Sequence, residues 1–262
     1  MAARKSGFFY AYNLKLVAYL YPSIIGMCYA NSSTSVNIDL AKRYNKVIPE
    51  HITETPTFYA SGFDHPNWRI VTNDLQIQRM NWGLVPFWFK GENRLDVSNK
   101  TLNARIETLE ERSSFRHLWN RQHCLVPSTG FFDWQHQGKN RIPYIIRCKE
   151  QELFSLAGMY DTWMNPQTQA LEHTFTIVTC EANELMAEIH NVKKRMPLIL
   201  IPELESDWLS GSFQWDLSKR ISSDKLEAHT INKRLILSPQ ANSAEIHKEF
   251  MDDSQRQTNL FD

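Results

Sequence analysis

Short runs of β-branched, aromatic and aliphatic residues, closed by Gly, Pro, Asn or Gln, recur between residues 81 and 202: NWGLVPFWF, HCLVPSTGFFDWQ, IPYIIRC, LFSLAGMYDTW, TFTIVTC and MPLILIP. Runs of this length and composition read as strands. Helix signals are few: SVNIDLAKRYN, TLEERSSFRHLWNRQ with Phe115, Leu118 and Trp119 at helical spacing, ANELMAEIH and ELESDWLSG. Strands and helices therefore do not alternate as a doubly wound sheet requires. The pattern predicts an α+β, mainly antiparallel β fold with helices packed around the sheets.

With 262 residues, 42% of them hydrophobic and 12% aromatic, the chain can fill a sizeable core. No repeat, low-complexity segment or linker interrupts residues 27–242, which read as one domain. Residues 243–262, SAEIHKEFMDDSQRQTNLFD, read as a flexible acidic tail. Residues 1–26 form an N-terminal extension whose run AYNLKLVAYLYPSIIG superficially resembles a signal core, but Lys15 and Pro22 interrupt it and it is too short to span a bilayer. A real signal, a disordered extension and an upstream start that is not the one used all remain open. No membrane association is expected, and the chain reads as a cytoplasmic monomer.

Lys plus Arg and Asp plus Glu both number 29, so no global field draws the chain to a polyanion. Any nucleic-acid site must be local. Residues 99–147 hold eight basic side chains against four acidic ones, a pattern that a mixed-charge solvated surface also explains. The cysteines, Cys28, Cys124, Cys148 and Cys180, are widely spaced with no C-x-x-C pair, so a structural zinc site is not expected. Cys124, Cys148 and Cys180 lie in or beside strand-like runs and read as buried hydrophobes.

Taken singly, the polar candidates have ordinary explanations: His190 as a helix end, Asn103 as a cap, Asp133 as a strand-end turn residue. The order of several segments says more. MC at 27–28, MNWGLVPFW at 80–88, LNARIET at 102–108, CLVPSTGFFDW at 124–134, LAGMYDTW at 156–163, TFTIVTCEAN at 174–183 and IHNVKKRMPLIL at 189–200 together resemble the SOS-response-associated peptidase (SRAP) family, the abasic-site-processing proteins. The likeness runs from Met27 to about Asn242. It implies a compact α+β domain with a groove for single-stranded DNA, no cofactor and no metal. It also implies loss of the initiator Met, so that the next residue, Cys28, becomes N-terminal and forms a thiazolidine with the ring-opened aldehyde of an abasic site. Bound to DNA, such a protein would sit on the bacterial nucleoid.

That chemistry is consistent with general pKa values. An α-amine ionises near about 7.7–8.0 against about 10.4 for Lys, leaving a usable free-base fraction at neutral pH. The thiol, near about 8.5, sits on the adjacent carbon and can close a five-membered ring. If residues 1–26 stay attached, the Cys28 nitrogen is an amide and the chemistry is lost, so residues 1–26 are expected to be a mis-assigned start that is not translated, or to be removed.

By the same resemblance, Asn103 holds the Cys amine or the opened sugar, Arg105 binds a phosphate, and His190 serves as acid and base. Trp82 and Trp134 stand where the family stacks bases. Asp133 falls where the family pattern carries Glu, one methylene longer, and is kept as an acid–base candidate. The chain reads CYAN where the family commonly reads CGR, and the loop between His190 and Arg195 is longer than usual. Its Lys193 and Lys194 are expected on the DNA backbone, with a solvated turn as the alternative. Gln257–Phe261, QTNLF, is similar to the pentapeptide with which bacterial repair proteins dock on the sliding clamp. Two rival functions stay open: a cysteine peptidase built from Cys28, His190 and Asn103, and a non-covalent single-strand-binding module.

Overall fold

The structure, a computed structural model, describes residues 29–53 and 55–251. Cys28, the extension 1–26 and the Gln257–Phe261 peptide lie outside the described residues. In chain order the elements are β1 (Ala30–Ser33), α1 (Asn37–Tyr44), β2 (Thr57–Ser61), β3 (Asn67–Ile70), β4 (Gln78–Trp82), α2 (Leu95–Ser98), β5 (Asn103–Arg105), β6 (His123–Ser128), β7 (Gly130–Gln137), β8 (Asn140–Cys148), β9 (Phe154–Met164), β10 (Leu171–Glu181), α3 (Glu184–Ile189), β11 (Arg195–Pro197), β12 (Ile199–Leu200), α4 (Pro202–Ser210), β13 (Leu226–Thr230) and α5 (Lys233–Ile236).

These strands form two sheets. The five-stranded one has the order β13-β8-β7-β1-β2 and is antiparallel throughout. The larger one has the order β12-β9-β10-β4-β3, with β5 and β11 added on β10 and β6 on β9. Among the described residues its parallel pairs are β10 with β4 and β10 with β5. The α+β, mainly antiparallel expectation holds, and Phe131 and Ile146 of one sheet share a single core with Phe175 and Leu156 of the other.

Two of the apolar runs serve both purposes of a strand pair. HCLVPSTGFFDWQ is divided at Thr129: β6 pairs with β9 in the larger sheet, and β7 pairs with β1 and β8 in the smaller. MPLILIP is divided at Leu198, so that β11 pairs with β10 and β12 with β9. The β7–β8 hairpin closes through Gly138, whose φ of 59° suits the first position of a two-residue hairpin loop.

Helices form where caps and one-sided apolar spacing agree. Asn183 caps α3 by accepting the Met186 N–H at 2.9 Å. α4 starts on Pro202 and ends at Gly211, whose φ of 77° closes the helix. Its Trp208 is buried and donates Nε1–H to the carbonyls of Cys124 and Gly158, which fastens the helix across β6 and β9. Arg43 of α1 forms a two-pronged ion pair with Glu205 of α4 at 3.0 and 2.6 Å, and Glu205 also accepts from the buried Ser155 hydroxyl.

Three expectations need correction. The stretch 108–122 is not a helix but a chain of turns closed largely by i→i+3 bonds (Phe115 to Arg112, Leu118 to Phe115, Arg121 to Leu118). Phe115 and Leu118 are buried as the spacing implied and Trp119 is half-buried against the same core, while Ser113 and Ser114 disfavour a helix and Asn120 breaks the run at φ 62°. NWGLVPFWF is a strand only to Trp82: Gly83 has φ 105°, and a side chain there would meet the His65 ring at 2.6 Å. The tail does not begin at residue 243. A 3₁₀ turn at Ala244–His247 buries Ile246 against Phe132 and Ile145, and the Phe250 N–H donates to the Thr230 carbonyl. An apolar residue with a core pocket to fill overrides the acidic composition around it.

No helix among the described residues is long and apolar enough to cross a membrane.

His123 is buried between α4 and the turn before it. Its Nδ1–H donates to the Trp208 carbonyl at 2.6 Å, and its Nε2 accepts from the Asn120 N–H. Burial pushes its pKa down to about 4, and burial also lowers those of His65 and His247. Below the ordinary value of about 6.5 the unfolded chain takes up protons that these folded rings refuse, so stability present above that pH is lost as pH falls toward 4. The urea unfolding midpoint should therefore drop between about pH 7 and about pH 4.5, before most carboxylates protonate. A midpoint that holds steady over that range would contradict this account.

Candidate functional site

Strand β10 is the spine of the site. Ile177 pairs with Gly158 of β9 on one edge and with Asn103 of β5 on the other, and Thr179 pairs with both Arg105 and Pro197. The C-terminal end of β10 therefore gathers the LNARIET and IHNVKKRMP segments. Arg195 joins them: its guanidinium meets Glu107 through two bonds of 2.9 and 2.7 Å and donates to the Thr179 carbonyl at 2.9 Å. Glu107 also accepts from the Glu181 N–H. The planar fork of Arg suits this two-pronged geometry in a way an ammonium cannot.

Helix α3 carries the site across to the other sheet. It packs on β7, where the Gln135 amide donates to the Glu188 carbonyl at 3.1 Å. Asn191, just past the helix, makes paired bonds to the main chain of His136, accepting its N–H at 3.0 Å and donating to its carbonyl at 2.8 Å. Between these fastenings His190 is buried at the helix end. Its Nδ1 lies 2.9 Å from the Arg195 carbonyl and 3.4 Å from Asp133 Oδ2. A carbonyl oxygen only accepts, so a proton sits on Nδ1, and Nε2 is the nitrogen left to exchange one with a substrate. Asp133, also buried, accepts the Trp134 N–H on its other oxygen at 2.8 Å.

The antiparallel register of β1 and β7 sets Ala30 opposite Phe132, next in sequence to Asp133. Tyr29 precedes this pair, its carbonyl accepting from the Gly62 N–H at 2.7 Å and its ring lying 4.8 Å from that of Phe63. The other thiols are withdrawn from chemistry. Cys124, Cys148 and Cys180 are buried, and burial pushes Cys148 and Cys180 up to about 12 and Cys124 higher.

Of the residues named from sequence, Asp133 and His190 are in contact. Asn103 is buried on β5 and Arg105 is exposed at its end. Lys193 and Lys194 are exposed on the turn after His190, where Lys194 adopts φ 49°. Trp134 is half-buried beside Asp133. Trp82 does not suit its expected role: it is 1% exposed, stacked on Phe175, with its Nε1–H given to the Leu102 carbonyl. A ring enclosed on both faces has none to offer a base.

Sequence reasoning passed over Glu107, Asn191 and His136. Glu107 lies inside LNARIET, where a carboxylate two residues after Arg105 gave no hint of its distant partner Arg195. Asn191 looked like a loop residue. His136 lies near Asp133 and His190, and burial, with the nearby Arg141, lowers its pKa. Also unremarked were Phe87 and Trp88, 55% and 41% exposed at the end of MNWGLVPFW. Among the described residues no grouping of His, Cys, Asp and Glu could hold a metal ion.

The model of the family described as SOS response associated peptidase (SRAP) matches residues 27–236 of this chain. The chain belongs to that family. The SRAP chain is 34% identical over 206 residues to the abasic site processing protein YoqW of Bacillus subtilis, covering 72% of this chain and 88% of the relative. It is also 34% identical over 140 residues to the abasic site processing protein HMCES of Gallus gallus, covering 46% and 41%. A crystal structure of a protein from Bacteroides thetaiotaomicron superposes with a TM-score of 0.78 at 33% identity, covering 86% of this chain and 100% of that one.

Arg195→Lys should expose the weight of the clasp between the two family segments. Lys keeps the charge and loses the fork, and the expected loss is about 2 kcal/mol, since hydrogen bonds to charged groups contribute roughly 1.5–3. Denaturant titration of the two proteins measures it; equal midpoints would show that Glu107 and Arg195 do not hold the segments together.

Proposed function

We propose that this SRAP protein acts in DNA repair, capturing abasic sites in single-stranded DNA as a covalent adduct of Cys28 once the residues before it are gone. The observation that carries the reading is the register of β1 on β7. Cys28 is one peptide bond ahead of Tyr29, so its Cα lies about 3.8 Å from that of Tyr29. That register runs the chain just after Cys28 along the strand that carries Asp133, which is itself in contact with His190. Membership of a family whose relatives are named abasic site processing proteins supports the same reading.

In the proposed reaction the Cys28 amine attacks the aldehyde carbon of the opened sugar, and the resulting carbinolamine loses its hydroxyl as water to give an imine. The thiol sulfur then adds to the imine carbon while the nitrogen takes up a proton. One water leaves overall, and a five-membered ring holding both nitrogen and sulfur remains. His190 Nε2 is suited to relay the protons, taking one from the amine and delivering one to the departing hydroxyl. Asp133 and the Arg195 carbonyl hold the ring for that task. Asn103 is assigned to the amine or the opened sugar, and Arg105, Lys193 and Lys194 to phosphates. Trp134 remains a stacking residue, and exposed Trp88 takes the place first given to Trp82.

A chain beginning at Met27, incubated with an oligonucleotide bearing one abasic site, should give a denaturation-resistant adduct that Cys28→Ala abolishes. His190→Gln should slow its formation about a hundredfold, the lower range for loss of a general acid–base group. Adduct formation by Cys28→Ala would sink the reading. Cleavage of unrelated peptides would favour the peptidase instead, and salt-sensitive binding without an adduct would favour the non-covalent module.

A further inference from the structure

The loop that follows β4 is gripped on both sides of Trp88. On one side the buried Asp161 of β9 accepts the Phe87 N–H at 2.8 Å on Oδ2, and the Thr162 N–H at 2.8 Å on Oδ1. On the other the Trp163 Nε1–H donates to the Phe89 carbonyl at 2.7 Å. Asp161 and Trp163 stand two apart on one strand and so share a face, and between their attachments Trp88 is left exposed. His117 completes the clamp. Its Nε2 lies 2.8 Å from Asp161 Oδ2, and its ring meets the Phe87 ring edge-on at 5.0 Å. The segment carrying His117 also exposes Arg112, Arg116 and Arg121.

An aromatic pair held out by fixed main-chain bonds, on a loop that His117 joins to a segment with exposed arginines, suits a strand of unstacked bases with its phosphates. A buried carboxylate is costly unless its bonds are kept, and of the three on Asp161 the Phe87 N–H and His117 both fix the shape of this loop. We infer that Asp161, with Trp163 and His117, is a positioning residue that holds Trp88 as a preformed stacking platform for a nucleotide flanking the lesion. The inference rests on the single-stranded DNA reading above. Val85, two residues before Phe87, bonds to Thr174, while Asn103 pairs at Ile177. The two levels are about 10 Å apart along β10 at roughly 3.3 Å per residue, so the platform would serve a neighbouring nucleotide rather than the abasic site itself.

The test uses Asp161→Asn in the chain beginning at Met27. Whichever way the new amide turns, its NH2 group faces one of the N–H donors that the carboxylate accepted. Affinity for an undamaged single-stranded oligonucleotide, read by fluorescence anisotropy, should fall about tenfold for Trp88→Ala, in line with the stacking of one base, and severalfold for Asp161→Asn. The double variant should lose no more than Trp88→Ala alone. With the abasic oligonucleotide, Asp161→Asn should raise the half-saturating concentration and leave the maximal adduct rate unchanged, and the amide of Phe87 should exchange faster. Trp163→Phe, which keeps the ring and removes only the donor to Phe89, should repeat the pattern if Asp161→Asn fails to fold. Unchanged affinity in both variants, or additive losses in the double variant, would overturn the inference. Failure of every chain to form the adduct, with the affinity pattern intact, would count against the covalent reading alone.

Discussion

The rest of the site depends on β1 being a central strand. Ala30–Ser32 pair with Gly130–Phe132 on one side, and Ala30 and Asn31 with Ser61 and Ala60 on the other, so the beginning of the described chain is held from both edges. In a sheet with one register, a shift of one residue turns every side chain to the opposite face. Here such a shift would also carry the preceding residue past Asp133. Side chains guard against it: Ser128 donates to Asn31 Oδ1 at 2.6 Å, and the Ser32 hydroxyl meets the Thr57 carbonyl and Thr129. The proposed capture by Cys28 depends on this kind of support, because chain ends are otherwise the least ordered part of a domain.

That strand was the least readable part of the fold, and the reason is physical. ANSS is polar, yet all four residues are buried, and much of its polar surface is met by specific hydrogen bonds rather than apolar packing. Hydrophobic patterning cannot detect a strand whose burial is satisfied that way. The long strands β8, β9 and β10 announce themselves because their inward positions carry Ile, Leu, Phe and Val. The family motifs singled out Asp133 and His190, which the fold brings into contact, and Asn103, which it buries on β5. They could not show that Trp82 faces inward while Trp88 faces out, since a motif records residue types and not the direction that Gly83 gives to the turn. Nor could spacing distinguish a helix from turns over 108–122, where the same three apolar side chains reach the core by either route.

Both sheets reach His190, the larger through a main-chain carbonyl and the smaller through a carboxylate and an Asn clasp on its main chain. Arg195 gives the ring a carbonyl acceptor from the larger sheet. β7 of the smaller sheet gives it Asp133 directly and Asn191 by way of the His136 main chain. Main-chain groups on packed strands move little, so the ring's orientation is set before any substrate arrives. The ion pair of Arg195 with Glu107 extends the same frame to β5, and hence to Asn103 and Arg105.

Against this frame the shorter carboxylate at 133 has a definite consequence. Asp133 spends one oxygen on the amide of the next residue and turns the other toward Nδ1 of His190 and not toward Nε2. Held in that way it has little freedom to reach a substrate itself. In the proposed reaction the proton transfers therefore fall to Nε2 of His190, and Asp133 contributes by holding the ring. A Glu at this position, longer by one methylene, could bypass the imidazole and meet the sugar; an Asp tied to the Trp134 amide works through it.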